Sequence, residues 1–171
     1  MDMNDALKML NQSGALDQVS QMLGVNEQEA ASAIAEVLPS LIQGMQGQAR
    51  NTETQQGFLQ ALSDHSKDNT DDIRSFIKTV DTDDGAKIVK HLLGAKEEEV
   101  ATKAQKKSGL DTKTIIKIMA IAAPILMSKM GKNAEKNAKK SGTGDMAKVV
   151  GGLLDGVDSK DVVNIMGMLL G

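Results

Sequence analysis

The segment that most constrains the fold is residues 115–130, IIKIMAIAAPILMSKM, which is apolar on nearly every face of a helix. A helix that spans a bilayer core requires about 20 clean apolar residues. This segment has 16, and Lys117, Pro124 and Lys129 interrupt it. We therefore expect no membrane span here, but a central buried helix that the rest of the chain must cover.

Apolar residues recur at three- and four-residue intervals along most of the chain, which predicts an all-α, multi-helix globular bundle around that central helix. Asn26 and Glu29 match a capping box and predict the start of a long helix that bends near Pro39. The polar residues 63–72 predict a loop, and residues 81–85 predict a turn. Shorter helices are predicted over 4–12, 15–23, 58–62, 73–80, 86–93 and 97–107.

The chain divides into three parts by composition. Residues 1–131 contain the central helix and are predicted to form a helical core domain. Residues 132–144 are rich in lysine and have no large apolar side chain, which predicts a flexible linker or at most an exposed helical extension. Residues 145–171 contain two apolar runs, 146–154 and 162–170, which predict a C-terminal helical hairpin.

The predicted hairpin is too small to bury both of its apolar faces within itself, so it must dock on another surface. The surface is either the core of its own chain or a second copy of the chain, and glycines in the runs would permit close helix contact. Insertion at a membrane surface is disfavoured, because residues 145–171 have two lysines against four aspartates. The candidate self-association residues are Val149, Leu153, Val163, Met166 and Leu170.

The net charge of −3 hides an uneven distribution of charge along the chain. Residues 1–85 have a net charge of −9, residues 86–140 of +8 and residues 141–171 of −2. All thirteen basic residues of the middle segment are lysines, which suit a solvated surface better than a specific phosphate site. The alternatives are an anionic polymer as partner, or attraction between the acidic and basic parts within one chain or between neighbouring copies.

Residues 100–118 have the spacing of a helix-turn-helix, with Gly109 and Leu110 in the turn. In this interpretation Lys103, Lys106, Lys107 and Lys113 are candidate contacts to an anion or a nucleic acid. A helix that reads bases needs a polar face and side chains such as Arg, Asn or Gln. The second helix is instead mostly apolar, so a packing unit is favoured over a DNA reader.

Few residues suggest an enzyme. The chain has no cysteine, which excludes a thiol nucleophile, a disulfide scaffold and cysteine-ligated zinc or iron–sulfur sites. His65 and His91 are isolated, and neither a phosphate-binding glycine loop nor a His-Glu-x-x-His motif occurs. Polar residues alternate along 64–75 as they do in a calcium-binding loop. Asn69, however, stands where such a loop needs glycine, and Ser75 stands where it needs glutamate. We expect no catalytic residue, no metal and no cofactor.

One pattern of residues resembles a known family. The residues are Asp84-Gly85, Ile88-Val89, Leu92-Leu93-Gly94, Val100, Ser108-Gly109-Leu110, Ile115, Ile118, Met119 and Ala123-Pro124-Ile125-Leu126-Met127. They resemble the bacterial family catalogued as domain of unknown function 937, over roughly residues 5 to 132. The resemblance implies an all-helical fold and gives no functional positions to carry over.

These observations together favour a non-enzymatic interaction or assembly module that self-associates through its C-terminal hairpin. Its partner is expected to be a second copy or another protein. The first residues, MDMNDALKML, lack the pattern of an export signal, so we expect a location in the bacterial cytoplasm. The alternative is a nucleic-acid-associated regulator that uses the lysines of residues 86–140.

Overall fold

The computed structural model describes residues 14–142, and these residues are almost entirely helical. The helices are α1 (Ala15–Leu23), α2 (Glu27–Arg50), α3 (Gln55–His65), α4 (Ile73–Thr79), α5 (Thr82–Leu93), a short 3-10 helix (Gly94–Lys96), α6 (Glu97–Ser108) and α7 (Thr112–Ser141). No strand occurs among residues 14–142. The predicted all-α bundle is confirmed, while the helix predicted over 4–12 and the hairpin predicted over 145–171 lie outside the described residues.

Side-chain caps define where several helices begin. Asn26 Oδ1 accepts from the backbone N–H of Gln28 at 2.7 Å, and its own N–H donates to Glu29 Oε2 at 3.4 Å, which confirms the capping box. Asp81 Oδ1 accepts from the N–H groups of residues 83 and 84, both at 3.0 Å. Because this cap starts α5 at Thr82, most of the turn predicted over 81–85 is the first turn of a helix.

The central helix is α7, as the apolar run predicts. Ile115 and Met119 are completely buried, and Ile118 and Leu126 are about 1% exposed. Helices α3, α5 and α6 pack around α7, and α2 contacts it as well. By length and composition α7 could cross a membrane, but 72% of its most apolar window is buried within the protein. A core helix has the same composition because it too is surrounded by apolar groups.

Helix α7 also continues far beyond the apolar run. Of the two alternatives for residues 131–143, linker or helical extension, the structure has a helix as far as Ser141. This extension is less exposed than the sequence suggests, because Gly131, Ala134 and Ala138 are all buried. The boundary predicted between residues 144 and 145 lies outside the described residues and stays a prediction.

Three glycines bring the main helices into close contact. A methyl group added to Gly44 of α2 would meet the carbonyl oxygen of Leu92 in α5. A methyl group on Gly85 of α5 would meet the carbonyl of Ala120 in α7, and one on Gly131 of α7 would meet the carbonyl of Leu62 in α3. Glycine is therefore required at each crossing, since the partner atom is rigid backbone. We call these the three glycine contacts.

The contact between Gly85 and Ala120 lies one turn before Pro124 in α7. Pro124 has no N–H, so it cannot donate to the carbonyl of the residue four positions earlier, which is Ala120. Gly85 packs against that same carbonyl oxygen, an approach of the kind in which a Cα–H group faces an acceptor. Proline in α7 and glycine in α5 thus form one packing feature.

Candidate interaction surfaces

The four lysines proposed as anion contacts surround the turn between α6 and α7, and we call them the basic corner. Lys103, Lys106 and Lys107 lie on α6, Lys113 lies in the first turn of α7, and all four are exposed. The turn itself is made by Gly109, whose φ of 79° favours glycine. The four lysines are therefore accessible to solvent, and their role as contacts to an anion stays a prediction.

Only part of the basic corner is free to bind an anion. Lys103 Nζ lies 2.8 Å from Glu99 Oε1, one turn earlier on the same helix. The hydrogen bond between them raises the pKa of Lys103 and lowers the pKa of Glu99. No carboxylate of residues 14–142 forms an ion pair with Lys106, Lys107 or Lys113.

The surface that α7 could offer to a DNA groove is short. Its first turn is capped by Asp111, whose Oδ1 accepts from the N–H of Thr114 at 2.7 Å. This hydrogen bond lowers the pKa of Asp111. Lys113 and Lys117 are exposed, but residues 118–128 are buried except for the partly buried Ala122. Near the basic corner, about two turns of α7 are therefore accessible before the helix enters the core.

A second charged region, which is acidic, lies in residues 64–84. It has seven aspartates against three basic residues. His65, with 18% of its side chain exposed, lies between two of these carboxylates. Its Nδ1 is 2.8 Å from Asp68 Oδ2 and its Nε2 is 3.5 Å from Asp84 Oδ2. His65 thus connects the loop after α3 to the first turn of α5, a role that its isolated position in the sequence does not indicate.

The loop after α3 is attached to α7 by a buried polar cluster. Thr70 Oγ1 lies 3.1 Å from Ser128 Oγ and accepts from Lys132 Nζ at 3.1 Å. Ser66 Oγ lies 2.7 Å from Glu135 Oε1. Hydroxyls beside a lysine can act as nucleophile and base, but Thr70 is 1% exposed and Ser128 is fully buried. Since substrate cannot reach them, the cluster holds the loop in place.

The calcium-loop alternative is tested by the same contacts. Ser66 and Thr70 would supply ligands in such a loop, but both side chains point to α7. Among the described residues, no group of three or more His, Asp or Glu side chains is arranged to hold a metal ion. Of the alternating polar residues, Ser66 and Thr70 contact α7, Asp68 contacts His65 and Asp72 caps α4.

Two adjoining cavities lie along the contact between α2 and α5, and we call them together the seam groove. The first has a volume of about 390 Å³ and an apolar floor that includes Phe58, Ile88, Leu92 and Met127. The second has a volume of about 370 Å³. It is lined by Ser40, Gln43, Gly44, Gly47, Gln48, Leu92, Leu93, Lys96, Glu99 and Lys103.

The two cavities meet at Leu92 and Gln48, which line both of them. Gln48 Nε2 donates to the carbonyl oxygen of His91 at 2.8 Å and so bridges α2 and α5 between the cavities. Both cavities are within the size range of binding pockets for small molecules or side chains. The groove is thus formed by residues already held in place by the fold.

Two glycines of the seam groove differ from the three glycine contacts. Gly47 lines the second cavity and Gly57 lines the first, and both lie inside helices. A methyl group on either would meet no atom within 4 Å. Glycine inside a helix costs roughly 0.5–1 kcal/mol relative to alanine, and no contact in residues 14–142 compensates for that cost here.

The residues of the family-like pattern lie at the joints of this fold. Gly85 makes the contact to Ala120 of α7, Pro124 lies one turn after Ala120, Gly94 begins the 3-10 helix and Gly109 turns the chain. The family described as "Bacterial protein of unknown function (DUF937)" matches residues 5–133. The chain belongs to this family. No curated protein and no solved structure matches the chain.

For this DUF937 protein, the structure places some of the predicted site residues and leaves others open. Lys103, Lys106, Lys107 and Lys113 surround the turn between α6 and α7. The proposed self-association residues Val149, Leu153, Val163, Met166 and Leu170 lie outside the described residues. The seam groove was not predicted, because its walls come from residues as distant in sequence as Gln48, Ile88 and Met127.

Proposed function

We propose that this DUF937 protein is a non-enzymatic helical assembly module that self-associates through residues 145–171. The observation that supports this proposal is the unbroken course of α7 from the core to Ser141. Met127 lines the seam groove, and Ser141 lies about 21 Å further along the helix at 1.5 Å per residue. Helix α7 therefore ends well beyond the seam groove, a few residues before the apolar C-terminal segment begins.

This position bears on what the C-terminal segment can contact. Only a few residues separate Ser141 from the first apolar run at 146–154. A run of nine residues is about 13 Å long as a helix, which is less than the distance back along α7 to Met127. In this proposal its apolar surface meets another copy of the protein, and burial of that surface drives association.

The experiment measures the mass of the full-length chain in solution by light scattering over a range of protein concentrations. We expect wild type to form an oligomer, and the variants Leu153→Asp and Met166→Asp to shift it toward monomer, because a charge placed in an apolar interface is costly to bury. Asn133→Asp adds the same charge at an exposed position of α7 and should leave the mass unchanged. A monomeric wild type at all concentrations would refute the proposal.

A second candidate function is association with nucleic acid through the basic corner. It is favoured by the exposure of Lys106, Lys107 and Lys113 and by their lack of ion-pair partners in residues 14–142. Contacts of this kind would hold the phosphate backbone and would be largely independent of base sequence. The short accessible part of α7 agrees with such a binding mode.

This second function is tested by DNA binding at several salt concentrations. Replacement of Lys103, Lys106, Lys107 and Lys113 by Gln should weaken binding and reduce the slope of log K against log salt by about 3, one unit for each unpaired lysine. The matched control replaces four other exposed lysines, Lys87, Lys90, Lys139 and Lys140. Equal losses in both variants would show that the basic corner has no specific role.

A further inference from the structure

We propose that the seam groove of one copy receives the C-terminal run 162–170 of a second copy. This inference rests on the proposed function and names the surface that takes part in it. The groove offers an apolar floor and two adjoining cavities that residues 14–142 leave open. The apolar floor of the first cavity favours an apolar occupant, and the polar and charged side chains that line the second cavity, among them Lys96 and Glu99, favour polar or charged groups beside it.

The residues 162–170, VVNIMGMLL, have the required chemistry. They contain no charged side chain, and eight of the nine are apolar or glycine. The methionines at 166 and 168 are unbranched and adapt to irregular apolar cavities. The floor of the first cavity includes Phe58 and Met127, which are 6% and 2% exposed, so an incoming methionine would contact the small part of these side chains that the fold leaves uncovered.

The charges beside the groove and the segment are complementary. Lys96 and Lys103 line the second cavity together with Glu99. The residues just before the apolar run include Asp155, Asp158 and Asp161. An acidic turn placed at this side of the groove would meet Lys96, for which residues 14–142 provide no ion-pair partner.

The glycines of the groove support the approach of a second backbone. Gly44 is explained by its contact with Leu92, but Gly47 and Gly57 have open space where a side chain would be. Both line the cavities, and a residue without a side chain allows an incoming helix to approach closely. The groove is thus wide at the two positions where a partner would need room.

A second copy is taken as the occupant because this inference rests on self-association. Gly142, which ends α7, lies about 22 Å along the helix axis from Met127 of the groove. The 19 residues 143–161 are long enough to reach the groove of the same chain or of a second copy, and the cross-linking test distinguishes the two. Exchange between two copies would fill both grooves and produce a closed two-fold dimer. Such a dimer contains the same interface twice, so one substitution affects both halves.

The first test uses the absence of cysteine from the natural chain. A tagged Gly47→Cys chain is mixed with an untagged Met166→Cys chain under oxidising conditions, and tagged–untagged disulfide products are counted. We expect a product of twice the 18.1 kDa chain mass. Thr79→Cys, exposed on α4, replaces Gly47→Cys as the control and should give little product, because a disulfide requires Cα atoms within about 7 Å.

Docking in the same chain would give a different result. The mixed single-cysteine chains would then not cross-link, while one chain with both Gly47→Cys and Met166→Cys would form an internal disulfide at low concentration. That outcome overturns the second-copy proposal. Equal yields with Gly47→Cys and with Thr79→Cys would overturn the assignment of the groove.

The second test separates this inference from the proposed function. Gly47→Leu places an apolar side chain at the groove, and its Cβ meets no atom within 4 Å. We expect its dimer dissociation constant to rise by roughly tenfold or more. An oligomer that is disrupted by Leu153→Asp but not by Gly47→Leu would refute the groove and leave the proposed function standing. A monomeric wild type would refute both.

Discussion

Gly131 provides a sensitive test of how α7 packs beyond its apolar run. From the sequence this glycine begins a lysine-rich stretch in which alanine would be harmless or favourable. In the structure its α-carbon faces α3, where an added methyl group would meet the carbonyl oxygen of Leu62 and lie 3.1 Å from Ser66 Cβ. The variant Gly131→Ala should therefore be neutral or stabilising if the stretch makes no contact, and destabilising if α7 packs against α3.

The expected magnitude follows from two opposing effects. Overpacking of a tight contact costs about 1–3 kcal/mol, and a contact with rigid backbone belongs at the upper end of that range. Alanine in place of glycine returns about 1 kcal/mol of helix propensity. The net loss is about 2 kcal/mol, which lowers the melting temperature of a chain of this length by roughly 4–8 °C.

Gly57→Ala is the matched control, because it makes the same chemical change inside a helix where no atom lies within 4 Å of the new methyl group. It should increase the free energy of unfolding by roughly 0.5–1 kcal/mol. Both variants are measured by thermal and urea denaturation at one low protein concentration, with equal mass in solution checked by scattering. If Gly131→Ala is as stable as Gly57→Ala, then α7 does not contact α3 as described.

Three further predictions concern the core and the caps. Thr70→Val should lower the free energy of unfolding by about 1–3 kcal/mol, because it removes a partner of the fully buried Ser128 hydroxyl. In a double-mutant cycle measured by urea denaturation, the loss in the double variant with Ser128→Ala should be smaller than the sum of the two single losses. Phe58→Ala should cost about 3–5 kcal/mol in the same assay, because Phe58 is only 6% exposed; a loss below about 1 kcal/mol would contradict its burial. The hydrogen bonds from Thr114 lower the pKa of Asp111 in the folded protein below the ordinary value of 3.8. The ionised carboxylate therefore stabilises the fold above pH 3.8, and this stabilisation is lost as the pH falls from 3.8 to below the lowered pKa. Acid titration of the unfolding free energy should therefore be less steep for Asp111→Asn, which keeps a capping acceptor, and identical slopes would show that this carboxylate does not contribute.

The sequence predicts best those elements whose signals are local. The buried helix is visible because large apolar side chains such as Ile115, Ile118 and Met119 continue for four turns. The capping box at Asn26 is visible because both of its hydrogen bonds join residues three positions apart or fewer. Each of these signals lies within a short window, so no knowledge of tertiary contacts is needed.

The extension of α7 could not be predicted in the same way. Gly131, Ala134 and Ala138 are buried, but their side chains are too small to register as an apolar stripe. Such residues become buried only because a neighbouring helix approaches closely. The information that identifies the extension as part of the core therefore lies in α3, about 70 residues earlier in the chain.

The two candidate surfaces differ in the same way, because the basic corner depends on neighbouring residues and the seam groove depends on residues far apart in the sequence. Exposure of the basic corner follows from a lysine pattern within one helix and the following turn. The seam groove depends on α2, α3, α5, α6 and α7 together. Gly44 and Gly47 are also indistinguishable by sequence, although one faces a carbonyl group and the other faces open space.

The three glycine contacts have a consequence for hydrogen–deuterium exchange. They connect four helices in the order α2, α5, α7 and α3. Because each contact is a close packing of backbone atoms, one helix cannot unfold without removing the contact of its neighbour. The amides of these four helices should therefore become accessible to deuterium in one cooperative opening, at a common slow rate. Helices α1 and α4 pack on each other, and α1 also packs on α2, but neither takes part in the three glycine contacts. They should exchange earlier, so that the slowest amides trace the path of the glycines through the molecule.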